Sequence, residues 1–141
     1  MVKPRLRFFE KAAGQAHITD TDKYLYKAPQ ASHKLVIIGT GTIGQEHMYV
    51  ATLLGQARIY GIYDKHTHSM DVAEQNFRSY SDEELVRLMD LKSACNDPGV
   101  DSWSVCTPSH MHVYLLCVGM ASGKTILLEK PMTTTLKEAA D

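Results

Sequence analysis

Lys34–Gly44, KLVIIGTGTIG, is the stretch on which the fold of this chain turns. Leu35 to Ile38 form an unbroken apolar run, the pattern of a strand buried on both faces, and the run opens into a glycine turn at Gly39. Gly39, Gly41 and Gly44 hold the three fixed positions of G-x-G-x-x-G, and Gln45–Leu54 then has helical character. A second apolar-rich stretch, RIYGIYD, ends at Asp64, twenty residues past Gly44. A lone glycine triplet says little. Set between a strand and a helix and followed at that distance by an acid, it reads as a dinucleotide-binding fingerprint.

The chemistry behind that reading is specific. Gly39 turns the chain sharply off the strand, and Gly41 lacks the Cβ that would hold a pyrophosphate away from the backbone. Gly44 lets the helix pack closely on the strand. The free N–H groups of Thr42, Ile43 and Gly44, at the positive end of the helix dipole, would receive the phosphates. Asp64, at the carboxyl end of its strand, would accept hydrogen bonds from the adenosine ribose. The plainer alternative is a tight strand-to-helix turn without a ligand and an aspartate that caps a helix.

At 141 residues the chain fits one domain with a real core. Hydrophobic residues at 44% and charged residues at 22% are ordinary for a globular protein, and a net charge of −1 argues against nucleic-acid binding by bulk electrostatics. No apolar run approaches the roughly 20 residues needed to span a bilayer, and the N-terminus lacks the apolar core of a secretory signal. Cys95, Cys106 and Cys117 are odd in number and lack C-x-x-C spacing, so neither a disulfide framework nor a zinc site is indicated. The cytoplasm is the expected compartment. Residues 1–33 carry six Lys and Arg against three acids, a net +3 that leaves −4 for the remainder. Without a clear period, this segment reads as an N-terminal arm before a domain at 34–141.

Beyond Asp64 the pattern keeps alternating. It predicts a helix over 67–76, a short third strand over Phe77–Tyr80, and a helix capped by Ser81 and Glu84 with Leu85, Leu88, Met89 and Leu91 as its apolar stripe. Asn96–Gly99 is a turn, and Val100–Cys106 a strand ending at Thr107-Pro108. Ser109–Ala121 follows as a helix with Val113, Leu116, Cys117 and Met120 inward, then Gly123 as its stop, Thr125–Leu128 as a strand, and a helix capped by Thr135 and Glu138. Trp103 and Tyr114 read as packing residues. The whole is α/β, a doubly wound parallel sheet that is Rossmann-like and incomplete at the C-terminus. Gly119–Thr125 imitates a phosphate loop, but it has three residues between its glycines and follows a helix, so it is a connector. His66/His68 and His110/His112 gather no acid or cysteine at ligand spacing, and no metal is expected.

Three stretches in order, the glycine fingerprint, Thr107-Pro108 with His112, and Gly123-Lys124 with Glu129-Lys130-Pro131, resemble the N-terminal half of the Gfo/Idh/MocA family, the glucose–fructose oxidoreductase and inositol dehydrogenase type. The resemblance covers about residues 34–141. It implies that Thr107, Pro108 and His112 line the cleft near the diphosphate and nicotinamide side of the cofactor, that Glu129 and Lys130 adjoin the cofactor, and that Lys130 is the active-site lysine, beside the nicotinamide and the substrate hydroxyl. It implies hydride transfer from a sugar or cyclitol carbinol to a nicotinamide. Asp64 would repel a 2′-phosphate, which argues for NAD as cofactor, with NADP allowed because Lys65, His66 and His68 follow Asp64. Family members continue into a large α/β substrate domain that carries a catalytic histidine and the oligomer interface. This sequence stops at Asp141, so the substrate domain is expected to be absent, and none of the seven histidines takes that role. The expectation is a dinucleotide-binding portion inactive alone, acting on a sugar or cyclitol only if a second domain is supplied. A homo-oligomer or partner chain could occupy the exposed sheet edge. The alternatives are a non-catalytic nucleotide-binding or interaction module, or one half of a split enzyme.

Overall fold

The computed structural model describes residues 31–140, so the arm read at 1–33 lies outside the described residues apart from 31–33. In chain order the elements are β1 (His33–Ile38), α1 (Thr42–Leu54), β2 (Ala57–Tyr63), α2 (Thr67–Tyr80) and β3 (Val86–Arg87). Then come α3 (Leu91–Asn96), β4 (Ser102–Val105), α4 (His112–Ala121), β5 (Thr125–Leu128) and α5 (Leu136–Ala140). A 3-10 turn, Ser109–Met111, leads into α4. All strand pairs are parallel and the order is β3-β2-β1-β4-β5. This is the expected doubly wound sheet. The order reverses between β1 and β4, and that switch point is where open α/β sheets form a crevice.

Alternation within β1 builds two cores. Leu35 and Ile37 join Met48 of α1 with Met70, Ala73 and Phe77 of α2 on one face. Val36 and Ile38 join Ala94 of α3, Trp103 and Val105 of β4, and Leu115 of α4 on the other. Because both faces are covered, a continuous apolar run is what such a central strand requires. Register along β1–β2 slips between Leu35 and Val36, whose partners are Ile59 and Gly61, so Tyr60 is an extra residue. The slip puts Ile59 and Ile62, three apart, into the same core.

Two of the sequence expectations, the strand at Phe77–Tyr80 and the helix capped by Ser81, fail for one reason. Phe77–Tyr80 is the last turn of α2 and not a strand. Met70, Ala73 and Phe77 are spaced for a helix face, and that longer pattern overrides a short aromatic run that fits either structure. Ser81 therefore ends α2, its N–H bonded to Phe77 O, and its hydroxyl accepts from Glu83 N at 3.2 Å. The following apolar residues form β3 and a loop. The true cap is Asp90, whose carboxylate accepts from Ser93 N and Ser93 Oγ, each at 2.7 Å. The helix of residues 112–121 buries His112, Leu115 and Gly119, and leaves Met120 and Tyr114 exposed, so its inward face is not the expected one. Tyr114 is not packed inside; Trp103 is, at 0% exposure. The Thr135–Glu138 box forms as read, with Thr135 N donating to Glu138 Oε2 at 3.0 Å and Glu138 N to Thr135 Oγ1 at 3.2 Å.

Three outcomes follow from this packing. Asp90→Ala should lower the unfolding free energy by about 0.5–2 kcal/mol in a denaturant titration, because it removes a real helix cap. Gly39→Ala should cost about 1–3 kcal/mol, since Gly39 has φ +94° and an added Cβ would stand 2.9 Å from the backbone of Cys106 and Thr107. Burial, with Tyr49 beside it, pushes the Tyr80 phenol from 10.0 up to about 12. The unfolded chain thus loses this proton near pH 10 while the folded one keeps it, so stability should fall as pH rises from about 10 to about 12. Unfolding midpoints that stay flat through that window would contradict the burial of Tyr80.

Candidate functional site

The site starts from a backbone crossing. Gly39 N donates to Tyr63 O at 2.8 Å and Cys106 N donates to Ile38 O at 2.8 Å, so the ends of β1, β2 and β4 are held level. In this space close packing demands glycine at Gly44 and leaves Gly41 sterically open. A Cβ on Gly44 would overlap the carbonyl oxygen of Gly39, so α1 starts as close to β1 as a chain can. At Gly41 an added Cβ would meet nothing within 4 Å, and that residue borders the crevice. No side chain caps α1 and no acid lies in its first turn. Its leading N–H groups and positive dipole end are therefore presented to the crevice, an arrangement that favours an anion.

The crevice is a cavity of about 560 Å³ walled by Gly39, Gly41, Thr42 and Ile43 on one side and by Cys106, Thr107 and Pro108 on another. Asp64, Lys65 and His66 close the end beyond β2, and Leu91, Met111 and Leu115 give it an apolar side. Asp64 is fixed in place by its neighbours. Its Oδ2 accepts from Thr40 N at 2.8 Å and Thr40 Oγ1 at 3.3 Å, and its Oδ1 accepts from His66 N at 2.9 Å. The aspartate therefore anchors the loop that precedes α1 as well as facing the cavity. Thr107 Oγ1 is buried and has no hydrogen-bond partner among the described residues, an orphan hydroxyl on a residue that lines the crevice. Burial pushes the Cys106 thiol up, against a bond to Ser104, so it is a neutral wall of the cavity.

The C-terminal signature residues lie apart from this wall. His112 is 1% exposed and does not line the cavity. Its Nε2 lies 2.8 Å from Thr107 O and its Nδ1 2.8 Å from Pro131 O; both oxygens only accept, so a neutral ring bonds one of the two signature turns and a doubly protonated ring bonds both. Glu129 and Lys130 also sit outside the cavity lining. The Lys130 backbone N–H, opposed by desolvation and joined by His47, holds the Glu129 carboxyl below its usual range. Lys124, of the Gly-Lys pair, donates to Asp97 O at 2.9 Å and Val100 O at 2.7 Å and so braces the loop before β4. Sequence reasoning missed Cys106, Met111 and Leu91 as lining residues, and His47 altogether. Its one available signal was its place three residues after Gly44, on the helix that the glycine turn starts.

Among the described residues no helix is long and apolar enough to cross a membrane, and no group of three His, Cys, Asp or Glu gathers where it could hold a metal. Comparison with known proteins agrees with the geometry. A family model described as an oxidoreductase family with an NAD-binding Rossmann fold, Gfo/Idh/MocA, matches residues 33–141. The scyllo-inositol 2-dehydrogenase (NADP(+)) IolW of Bacillus subtilis is 32% identical over 115 residues, 77% of this chain and 30% of that protein. An inositol 2-dehydrogenase of Paracoccus denitrificans is 29% identical over 107 residues, 75% of this chain and 31% of that one. Among solved structures, the myo-inositol dehydrogenase of Lactobacillus casei in complex with NAD(H) and myo-inositol superposes with a TM-score of 0.68 at 26% identity. That match covers 77% of this chain and 31% of the dehydrogenase, so the chain spans about a third of the length of such relatives. With the glycine turn, the fixed aspartate and the switch-point cavity in place, the chain belongs to the Gfo/Idh/MocA oxidoreductase family, as an NAD(P)-binding Rossmann domain.

Proposed function

We propose that this chain binds NAD at the crevice between β1 and β4 as the cofactor-holding part of a dehydrogenase acting on a sugar or cyclitol hydroxyl. The carrying observation is the uncapped start of α1 beside Gly41, where a Cβ would occupy open space that borders the cavity. The orphan Thr107 hydroxyl fits the same reading, since a ligand in the crevice would give it a partner. Thr42, Ile43 and Gly44 offer backbone N–H groups to a pyrophosphate, and Asp64, its carboxylate already oriented by Thr40 and His66, offers its remaining lone pairs to ribose hydroxyls. A carboxylate in that position disfavours a 2′-phosphate, while Lys65 at the same end of the cavity supplies compensating positive charge and His66 a further polar group. NAD is the preferred ligand on that balance and NADP a weaker one.

When bound, the nicotinamide ring accepts a hydride. The chain's own contribution is to place that ring and to deal with the proton. Oxidation of a carbinol moves a hydride from carbon and a proton from the hydroxyl, leaving a ketone. Lys130 is the residue we assign to hold or take that proton at Nζ, with Pro131 shaping its turn. Substrate must be pressed against the ring at contact distance for transfer to occur. The relatives are about two and a half times as long as this chain, and we assign that task to the remainder of a protein of their kind. The 141-residue chain by itself should bind cofactor without appreciable turnover.

Calorimetric titration tests this. NAD should give saturable heat with the folded chain, and NADP a weaker response. Gly41→Ala should keep the wild-type unfolding midpoint yet weaken NAD binding by about tenfold, about 1.4 kcal/mol. A folded sample that gives no heat at millimolar NAD and NADP would remove the nucleotide reading. Steady NADH formation from inositol or a sugar by this chain alone would overturn the claim that it does not turn over.

A further inference from the structure

The helix that starts at the pyrophosphate-binding turn also reaches the far end of the sheet through one side chain. His47, in the second turn of α1, places Nδ1 2.8 Å from Ser104 Oγ on β4 and Nε2 2.9 Å from Glu129 Oε1 just past β5. The other carboxylate oxygen, Glu129 Oε2, accepts from Lys130 N at 3.3 Å. Ser104 is fully buried, and its hydroxyl lies 3.5 Å from Cys106 Sγ, which lines the cavity. A hydrogen-bonded chain therefore runs from the cavity wall through Ser104 and His47 to the carboxylate that braces the backbone of Lys130.

The next two residues complete the arrangement. Pro131 O lies 2.8 Å from His112 Nδ1 on the α4 side, while Glu129 is held by His47 from the α1 side. Lys130 lies between these two anchors and is exposed, and its ammonium makes no hydrogen bond or ion pair among the described residues. Carboxylate oxygens only accept, so His47 Nε2 must carry the proton facing Glu129. Its Nδ1 can then accept from the Ser104 hydroxyl when the ring is neutral, or donate to it when the ring is charged. Either state keeps both bonds. Such a side chain is suited to hold geometry.

We propose that His47 is a positioning residue: through Glu129 it fixes the turn that presents Lys130, and it sets that turn relative to the helix start that receives the pyrophosphate. The inference rests on the dinucleotide reading above and deepens it, because it makes one helix fix both ends of the cofactor. It requires that loss of the His47–Glu129 bond be felt at the nicotinamide end and not at the adenosine end.

The test compares NAD with ADP, which lacks the nicotinamide half, on the full 141-residue chain. His47→Asn can keep a partner for Ser104 but is too short for Glu129. His47→Gln places its amide N–H nearer the position of Nε2. The expected result is a loss of NAD affinity of about tenfold in His47→Asn, unchanged ADP affinity, and recovery in His47→Gln. Glu129→Gln should reproduce the selective loss and serves as the second variant if His47→Asn does not fold. Equal losses for NAD and ADP, or no loss for either, would overturn the proposal. If the wild-type chain binds neither nucleotide, the nucleotide reading fails, and the positioning claim is decided by nuclear magnetic resonance. In that case faster exchange of the Lys130 amide and a raised Glu129 titration midpoint in His47→Asn sustain it, and unchanged values sink it.

Discussion

Everything at the switch point depends on how closely three backbone segments approach one another. Gly44 lies so near the carbonyl of Gly39 that no side chain fits between them, and Gly39 in turn abuts the Cys106–Thr107 peptide. Helix α1 is thereby pinned to the end of β1, and β1 to the end of β4. A crevice opens above them because the crossovers leave in opposite directions from those two strands. Widening either approach by one methyl group would tilt the helix start, whose free N–H groups favour an anion in the crevice. The cost of leaving those donors uncapped is offset elsewhere, by cores on both faces of the sheet.

Much of this was legible in the residues. The apolar run of β1, the glycine spacing and the acid after β2 each carry a local physical demand, so the first βαβ unit could be read directly. The Thr135–Glu138 cap was legible for the same reason, since its partners lie three residues apart. Between Phe77 and Asn96 the reading failed because several short apolar runs satisfy both periods, and burial against β2 and α1 decided between them. A two-residue strand such as β3 has no period of its own to detect. Ser81 and Glu84 have the spacing of a cap with no helix behind them.

The site was legible only in part, and the boundary is instructive. Residues that act through backbone geometry were found, because glycine and proline advertise it. Residues that act across the sheet were not. His47 meets Glu129 82 positions away, and Ser104 57 positions away, through tertiary packing alone. His112 shows the converse. Its motif suggested a cleft residue, yet both ring nitrogens face main-chain carbonyls and the ring is sealed from the cavity. The polar stripe of Ser102 and Ser104, beneath His33 and His47, likewise looks unremarkable in a strand until the register with Leu35 and Ile37 places it on the α1 face.

Trp103 adds a property of a different kind. It is the sole tryptophan of the chain, fully enclosed, with its indole N–H unpartnered among the described residues. It shares a core with Leu115, which also forms part of the crevice wall. The chain consequently carries a native fluorophore in a dry setting. Its emission belongs at the blue end of the indole range and reddens when water enters, so it reports on that core without any attached dye.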